Sequence, residues 1–254
     1  MALLEIRNLS KYFGGLAAIN DLDMDVFDSE ILGLIGPNGA GKTTLFNVIN
    51  GFYLPTSGKV IFKGKEISKL RPHQISEIGI GRTFQLSTLF MRSTVFDNVF
   101  TGFHINYETG LLRQFLHSPA ARKEEETIKH KAMEILQFMG LASLKGELAQ
   151  NLPHGHQRIL GICIALATNP ELLLLDEPVT GMNPGETLTM IDSIRQLRDR
   201  GITIVVVEHD MKAVMSLCDR IVVLNYGRKI ADGLPEKIRE NKEVIEAYLG
   251  REGA

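Results

Sequence analysis

Cysteine is scarce in this chain of 254 residues, which contains only Cys163 and Cys218. Both lie among apolar neighbours, and two such residues do not form the disulfide framework of a small secreted protein. We therefore interpret them as reduced thiols in a reducing compartment. The cytoplasm is the predicted location.

Long hydrophobic runs are also absent, because no apolar stretch approaches the ~18 residues that a membrane-spanning helix needs. Residues 1–10 have the pattern of a strand that includes Glu5 and Arg7, so we expect no signal peptide there. Any role at a membrane is therefore predicted to come through a partner.

The chain lacks an excess of either charge, since its formal net charge is -2. A surface that binds nucleic acid usually needs a strongly basic face, so we predict no nucleic-acid partner. The length is close to the upper limit for one domain and allows a substantial core. One domain with a subdomain is therefore favoured over two independent domains.

The most informative motif that is present is GPNGAGKTT at residues 36–44. It lies between an apolar run and an apolar-periodic segment, which is the strand, loop and helix setting of a phosphate-binding loop. The glycines let backbone N–H groups turn toward an anion, Lys42 reaches the β- and γ-phosphates, and the Thr43 hydroxyl is a Mg²⁺ ligand. A nucleoside triphosphate is therefore the predicted ligand. The loop residues predicted to bind it are Gly36, Asn38, Gly39, Ala40, Gly41, Lys42, Thr43 and Thr44.

A second motif consists of four leucines, residues 172–175, followed by Asp176 and Glu177. Four apolar residues in a row indicate a buried strand, and two carboxylates at the end of a buried strand require a cation. In phosphoryl-transfer sites, the end of such a strand directs one acid to Mg²⁺ and the other to the γ-phosphate. We predict these roles for Asp176 and Glu177 respectively.

The pattern of elements changes along the chain. Strand patterns come first, residues 95–140 are helical with Ser118 as a cap and Pro119 at the first helical position, and strands alternate with helices after residue 172. This alternation favours a mostly parallel sheet with helices on both faces. The predicted strands are 3–9, 23–27, 31–35, 59–62, 172–175, 202–207 and 221–224, the predicted turns are 14–15 and 56–58, and the later helices follow Pro184 and surround 211–217.

With these motifs the sequence resembles the ATP-binding cassette ATPases over essentially its whole length. Gln85 in the segment GRTFQ matches the family's Q-loop, and His209 in VVVEHD matches its switch histidine. Phe13, which follows Tyr12, matches the aromatic residue that stacks on adenine.

The resemblance implies an α/β fold with a P-loop NTPase core, in which a mostly parallel sheet is flanked by helices. An N-terminal antiparallel β subdomain and an α-helical subdomain, inserted at about residues 88–155, complete one nucleotide-binding domain over 1–254. The implied cofactors are ATP, with ADP as product, and Mg²⁺. The implied catalytic residues are Glu177, His209 and Lys42, the implied metal ligands are Thr43, Gln85 and Asp176, and Phe13, Gln85 and Gly155 join the phosphate loop in binding nucleotide.

The resemblance also implies partners. These are membrane permease subunits and a second ATPase subunit, of the same or another kind, facing this one head to tail. The chain is then expected on the inner, cytoplasmic face of the cell membrane, with membrane contact only through the permease.

Within the family, the chain looks most like the ATP-binding subunit of branched-chain amino-acid importers. The segments that carry this likeness are 84–85, 176–178, 181–184, 218–227 and 244–250. They favour uptake of branched-chain amino acids as the function. The ATPase subunits of amide or urea importers and of lipopolysaccharide exporters look similar and stay open as alternatives.

The signature segment of the family, Leu-Ser-Gly-Gly-Gln, reads LPHGH at residues 152–156. In the family it closes on the ATP of the other subunit, and Pro153 has neither a hydroxyl group nor an N–H for that contact. Gly155 and the positive end of a helix that starts near His156 can still favour phosphate. We expect either weak ATP-driven closure or a partner that supplies an intact signature. Asn183, where the family often has aspartate, keeps an acceptor but loses the charge.

Other interpretations are less favoured. Soluble cassette ATPases that act on ribosomes or DNA usually have two cassettes or a long coiled-coil insertion, and a small-molecule kinase needs an acceptor site that nothing here indicates. His154 and His156 lack further ligands for a metal site. The apolar segment 86–99 is interpreted as a surface for a partner rather than as core.

Overall fold

The computed structural model describes residues 2–83, 89–103 and 119–249. The chain divides into two compact units, one made of Met1–Ile80 and Glu171–Ala254 and the other of Gly81–Pro170. The helical insertion predicted at about 88–155 falls within the residues of the second unit. No helix in the described part of the chain is long and apolar enough to cross a membrane.

The elements are numbered in chain order over the described residues. The strands are β1 (Ala2–Phe13), β2 (Leu16–Phe27), β3 (Ile31–Ile35), β4 (Ser57–Phe62), β5 (Lys65–Glu66), β6 (Ile80–Arg82), β7 (Leu172–Asp176), β8 (Thr203–Val207), β9 (Arg220–Asn225) and β10 (Arg228–Gly233). The helices are α1 (Lys42–Ile49), α2 (Pro72–Glu77), α3 (Val95–Gly102), α4 (Pro119–Phe138), α5 (His154–Leu166), α6 (Pro184–Asp199), α7 (Met211–Leu217), α8 (Pro235–Glu240) and α9 (Lys242–Leu249).

Two sheets form the strand framework. The first contains four antiparallel strands in the order β2-β1-β4-β5, and the second contains six strands in the order β10-β9-β3-β8-β7-β6. In the second sheet β3 runs parallel to both β8 and β9, β7 runs parallel to β8, and β10 is antiparallel to β9. The mostly parallel sheet and the N-terminal antiparallel sheet are both confirmed.

The core of the first unit explains why these elements form. Alternate residues of the parallel strands, such as Leu32, Leu174 and Val205, are buried in one cluster with α1 and with the inward residues of β1 and β2. Residues at the carboxyl ends of parallel strands lie at one edge of a sheet. The segments that follow β3, β7 and β8 therefore meet at the same edge.

Several predicted boundaries are wrong. The predicted strands 3–9 and 23–27 are parts of β1 and β2, which are longer because register shifts interrupt their alternation of apolar and polar residues. Ser57 and Gly58 belong to β4 rather than to a turn. Gly58 has φ +78°, and a Cβ atom there would lie 2.2 Å from the Asn8 carbonyl oxygen. Glycine at this position therefore allows β4 to approach β1 closely.

In the second unit, the predicted helical stretch 95–140 contains α3 and α4. Helix α4 is described from Pro119 onward, and residues 104–118, with the predicted cap Ser118, lie outside the described residues, so the predicted start of this helix stays a prediction. Of the apolar segment 86–99, Phe90 is 56 % exposed, whereas Leu89 is buried. The buried Asn98 amide binds both the N–H and the carbonyl of Phe90, at 2.9 and 3.0 Å, which fixes the backbone below this exposed ring.

Candidate functional site

The phosphate loop follows β3 and leads into α1, in the first unit. Gly36, Gly39 and Gly41 have φ values of +151°, +80° and +107°, which other residues rarely adopt. A Cβ atom at Gly36 would lie 2.1 Å from the Leu224 carbonyl oxygen, and one at Gly41 would lie 2.4 Å from that of Ala18. The loop conformation therefore requires glycine at these positions.

Lys42 bends back over this loop. Its Nζ atom donates to the carbonyl oxygens of Gly36, at 2.6 Å, and Pro37, at 3.0 Å. Helix α1 has no acidic residue in its first turn, so nothing there offsets the positive end of the helix. Since a phosphate oxygen is a stronger acceptor for an ammonium group than a carbonyl, this end of α1 is suited to bind a phosphate group.

The two carboxylates of the second motif lie at the end of β7. Residues 172–175 are buried and Asp176, the last residue of the strand, is half-buried and pairs with Val207 of β8. Glu177 adopts φ +51°, a left-handed conformation that is uncommon for a residue with a side chain. Its N–H donates to the Val207 carbonyl at 2.8 Å, which holds this conformation in place. Strain of this kind is found most often at functional sites.

His209 follows β8 and lies close to Glu177. The distance from His209 Nδ1 to Glu177 Oε1 is 3.7 Å, which is too long for a hydrogen bond but close enough for both side chains to contact one molecule. The Thr180 hydroxyl lies 3.5 Å from Glu177 Oε2. The structure therefore brings together Glu177 and His209, which the sequence analysis placed in one site.

Glu208 is the residue that sequence reasoning missed. Its side chain is buried, and its carboxylate accepts hydrogen bonds from the N–H of Val179, at 2.8 Å, and from the N–H of His209, at 3.1 Å. Burial raises the pKa of Glu208, and these two N–H groups oppose that shift. Glu208 thus ties the segment after Glu177 to the segment that carries His209. A carboxylate directly after an apolar strand was the signal available in the sequence.

The metal ligands predicted here fit Mg²⁺ by the chemistry of their donors. The Thr43 side chain is exposed in the first turn of α1, and Asp176 is half-buried at the same edge of the sheet. A hydroxyl and a carboxylate are hard oxygen ligands of the kind that Mg²⁺ prefers. The third predicted ligand, Gln85, lies outside the described residues.

Phe13, the predicted adenine-stacking residue, is 42 % exposed at the end of β1. Its ring contacts Tyr53 edge to face, with 5.2 Å between the ring centroids. The Lys11 ammonium lies 5.0 Å from the Phe13 centroid and also donates to the Leu54 carbonyl. The ring is therefore accessible and held by neighbours, and its role in binding adenine stays a prediction.

The signature segment lies in the second unit. Helix α5 begins at His154, two residues before the start that we expected, with Pro153 at the N-cap position and without a side-chain cap. Gly155 is buried in the first turn. The Gln157 side chain donates to the carbonyl oxygens of Ala149 and Leu152, at 3.3 and 3.0 Å, so it supports the segment from within.

Asn183 has a local structural role. Its side chain accepts from the N–H of Glu186 and the Glu186 side chain accepts from the N–H of Asn183, both at 3.0 Å, which caps α6. A carbonyl oxygen is sufficient for this cap. The side-chain oxygen of Asn183, which we expected to remain an acceptor, thus caps the start of α6.

The sequence is similar to known transporter proteins. The model of the ABC transporter family matches residues 19–180, and the model of the branched-chain amino acid ATP-binding cassette transporter matches residues 228–254. The chain is 43 % identical to the high-affinity branched-chain amino acid transport ATP-binding protein LivG of Escherichia coli K12 over 249 residues, or 98 % of each chain. It is 42 % identical to BraF of Pseudomonas aeruginosa, a protein of the same description, with the same coverage.

Two solved structures of ATP-binding cassettes from an ABC transporter are similar over nearly the whole chain. One is nucleotide-free and matches with a TM-score of 0.86, and the other is an ADP conformation and matches with a TM-score of 0.87. Each is 33 % identical to this chain, and each comparison covers 98 % of this chain and 99 % of the other.

Proposed function

The chain belongs to the ATP-binding cassette family of transporter ATPases, and we propose that it hydrolyses ATP to drive the uptake of branched-chain amino acids through membrane permease subunits. The observation that carries this proposal is the meeting of the phosphate loop, the Asp176 and Glu177 carboxylates and His209 at one edge of the parallel sheet. The 43 % identity to a branched-chain amino acid transport protein supports the choice of cargo.

Nucleotide binding is assigned to the phosphate loop and the start of α1. Gly36, Asn38, Gly39, Ala40, Gly41, Thr43 and Thr44 would surround the phosphates with backbone N–H groups and hydroxyls, and Phe13 would stack on adenine. Lys42 would exchange its carbonyl partners for the β- and γ-phosphates. Because this exchange replaces neutral acceptors with charged ones, binding is favourable.

Hydrolysis is assigned to Glu177 and His209. The water oxygen attacks the γ-phosphorus as the bond to the β,γ-bridging oxygen breaks, and Glu177 accepts the proton of the water. His209, 3.7 Å from Glu177, orients the water and the γ-phosphate. Thr43, Asp176 and Gln85 would hold Mg²⁺, which neutralises the charge that develops on the phosphate oxygens when it is bound.

Transport also needs partners. We propose that two ATPase subunits face each other head to tail, with Gly155 and the start of α5 completing the nucleotide site of the other subunit. Closure on ATP and reopening after hydrolysis would move permease subunits at the inner face of the cell membrane. The free energy comes from the stronger binding of ATP to the closed state.

The test is an ATPase assay of the chain copurified with its membrane subunits. Leucine, isoleucine and valine, each with the matching binding protein, should stimulate hydrolysis, whereas urea and short amides should not. Stimulation by urea or amides alone would contradict the assigned cargo, and absence of hydrolysis in every condition would contradict the assigned activity.

A further inference from the structure

Hydrogen bonds tie the segment after α1 to the end of β1. The Thr56 N–H donates to the Ser10 carbonyl at 2.8 Å, and the Thr56 hydroxyl accepts from the N–H of Tyr12 at 3.0 Å. The Lys11 ammonium group donates to the Leu54 carbonyl at 2.9 Å. Contacts at three successive residues of β1 therefore hold the two segments together.

Tyr53, Phe13 and Lys11 form one cluster at this junction. The two rings meet edge to face, with their planes at 78° and their centroids 5.2 Å apart. The Lys11 Nζ atom lies 5.0 Å from the Phe13 centroid and 5.7 Å from the Tyr53 centroid, so it faces both rings. Phe13 is nevertheless 42 % exposed. The ammonium group covers one face of its ring, and the exposed part stays open to a further planar group.

Strand pairing places Phe13 near the phosphate loop. In the pair of β1 and β2, Phe13 lies opposite Leu16. Ala18, two residues further along β2, borders the loop, because its carbonyl oxygen would lie 2.4 Å from a Cβ atom at Gly41. Two residues of a strand span about 7 Å. The base of a nucleotide whose phosphates occupy the loop can therefore reach the Phe13 ring.

We propose that Tyr53 and Lys11 are positioning residues for the nucleotide base, which hold the Phe13 ring for stacking and favour purine over pyrimidine nucleotides. This inference rests on the proposed binding of nucleotide at the phosphate loop. A purine covers more of a phenyl ring than a pyrimidine does, so it gains more from a ring that is held in place. Because the base is stacked before and during hydrolysis, loss of either residue raises KM and leaves kcat unchanged.

The test measures the Kd of MgATP, MgCTP and magnesium tripolyphosphate for the full chain. Tyr53→Leu removes the aromatic contact, and Lys11→Met removes the cation. We expect each to raise the Kd of MgATP by about three-fold and that of MgCTP by less. The Kd of tripolyphosphate, which has no base, should not change. Tyr53→Phe keeps the ring and should retain the affinity for MgATP, and Lys65→Met is the control for removal of an exposed charge.

A double-mutant cycle tests whether Tyr53 acts through Phe13. Phe13→Leu should raise the Kd of MgATP by about five-fold or more, because the base loses its aromatic partner. In that background, Tyr53→Leu should have no further effect on the Kd of MgATP. Effects of the two substitutions that multiply would overturn the inference.

A fluorescent base separates positioning from folding. An aminopurine analogue of ATP is quenched when its base stacks on an aromatic ring, so its fluorescence at saturation reports how much of the bound base is stacked. Fluorescence should be higher in Tyr53→Leu and Lys11→Met than in the wild type and Tyr53→Phe. Unchanged quenching with an unchanged Kd for MgATP, even with a lowered Tm, would overturn the inference. So would an equal loss of affinity for tripolyphosphate. A wild-type chain that binds neither MgATP nor tripolyphosphate would instead contradict the nucleotide function.

Discussion

Replacing Glu208 with glutamine tests whether this carboxylate couples the segments that carry Glu177 and His209. Glutamine keeps the size of the side chain but has a single acceptor oxygen, so either the Val179 N–H or the His209 N–H loses its partner. A hydrogen bond to a charged group contributes about 1.5–3 kcal/mol. We expect the lower end of this range, about 1.5 kcal/mol, because the variant also avoids the cost of burying a carboxylate.

This loss corresponds to a Tm decrease of about 3–6 °C for a chain of this size. Turnover should fall by about ten-fold or more, since a small displacement of His209 misplaces the attacking water. ATP affinity should stay within two-fold of the wild type, because the phosphate loop keeps its contacts. The exposed Glu246, changed to glutamine, is the control for removal of a charge.

The difference in stability between the wild type and Glu208→Gln should depend on pH, and the raised pKa of Glu208 gives the sign of that dependence. The pKa of Glu208 is raised in the folded chain, so above the ordinary carboxyl pKa of about 4.3 the folded state binds more protons than the unfolded state. The stabilisation of the wild type relative to Glu208→Gln is therefore largest below that pH. It decreases as pH rises to the folded pKa and is constant above it. Denaturation of both proteins at several pH values measures this difference. A stability difference that grows with pH, or an unchanged Tm and turnover in Glu208→Gln, would refute the reasoning.

Substitutions at three further positions test individual assignments. Glu177→Gln keeps the shape but removes the base, so ATP affinity should persist while turnover of the assembled transporter falls by about 100-fold or more; hydrolysis at the wild-type rate would disprove the assignment. Lys42→Ala should weaken ATP binding by about ten-fold or more, at least about 1.4 kcal/mol by calorimetry, and unchanged affinity would count against the phosphate loop. In a Glu177→Gln background, Pro153→Ser should strengthen ATP-dependent dimerisation in sedimentation by about 1 kcal/mol per regained hydrogen bond. Pro153→Ala, which regains only the N–H, should strengthen dimerisation less. If neither variant dimerises more strongly, the contact with the ATP of the other subunit depends on Gly155 and the start of α5 alone.

The phosphate loop could be predicted because its glycines form a motif within one short segment of the sequence. Gly36, Gly39 and Gly41 adopt positive φ values, and the glycines that these values require appear in the sequence as one short motif at residues 36–44. The strand before Asp176 could also be predicted, since four consecutive leucines indicate a buried strand.

Contacts between distant parts of the chain could not be predicted. Glu208 accepts from the N–H of Val179, which lies in the loop after β7, far from Glu208 in the sequence. The elements β10, α8 and α9 are short, so their apolar periodicity is too brief to distinguish them. The sequence predicts a turn at Gly58, because glycine occurs both in turns and where two strands approach closely.

The central claim is that ATP hydrolysis at this site drives uptake of branched-chain amino acids. The most direct measurement is accumulation of radiolabelled leucine in proteoliposomes that contain the permease subunits and this chain, with the binding protein and leucine on the opposite side from the chain and its ATP. The account predicts accumulation against the gradient with ATP, none with ADP, and none when Glu177→Gln replaces the wild-type chain. Leucine accumulation that is independent of ATP, or that persists with Glu177→Gln, would contradict it.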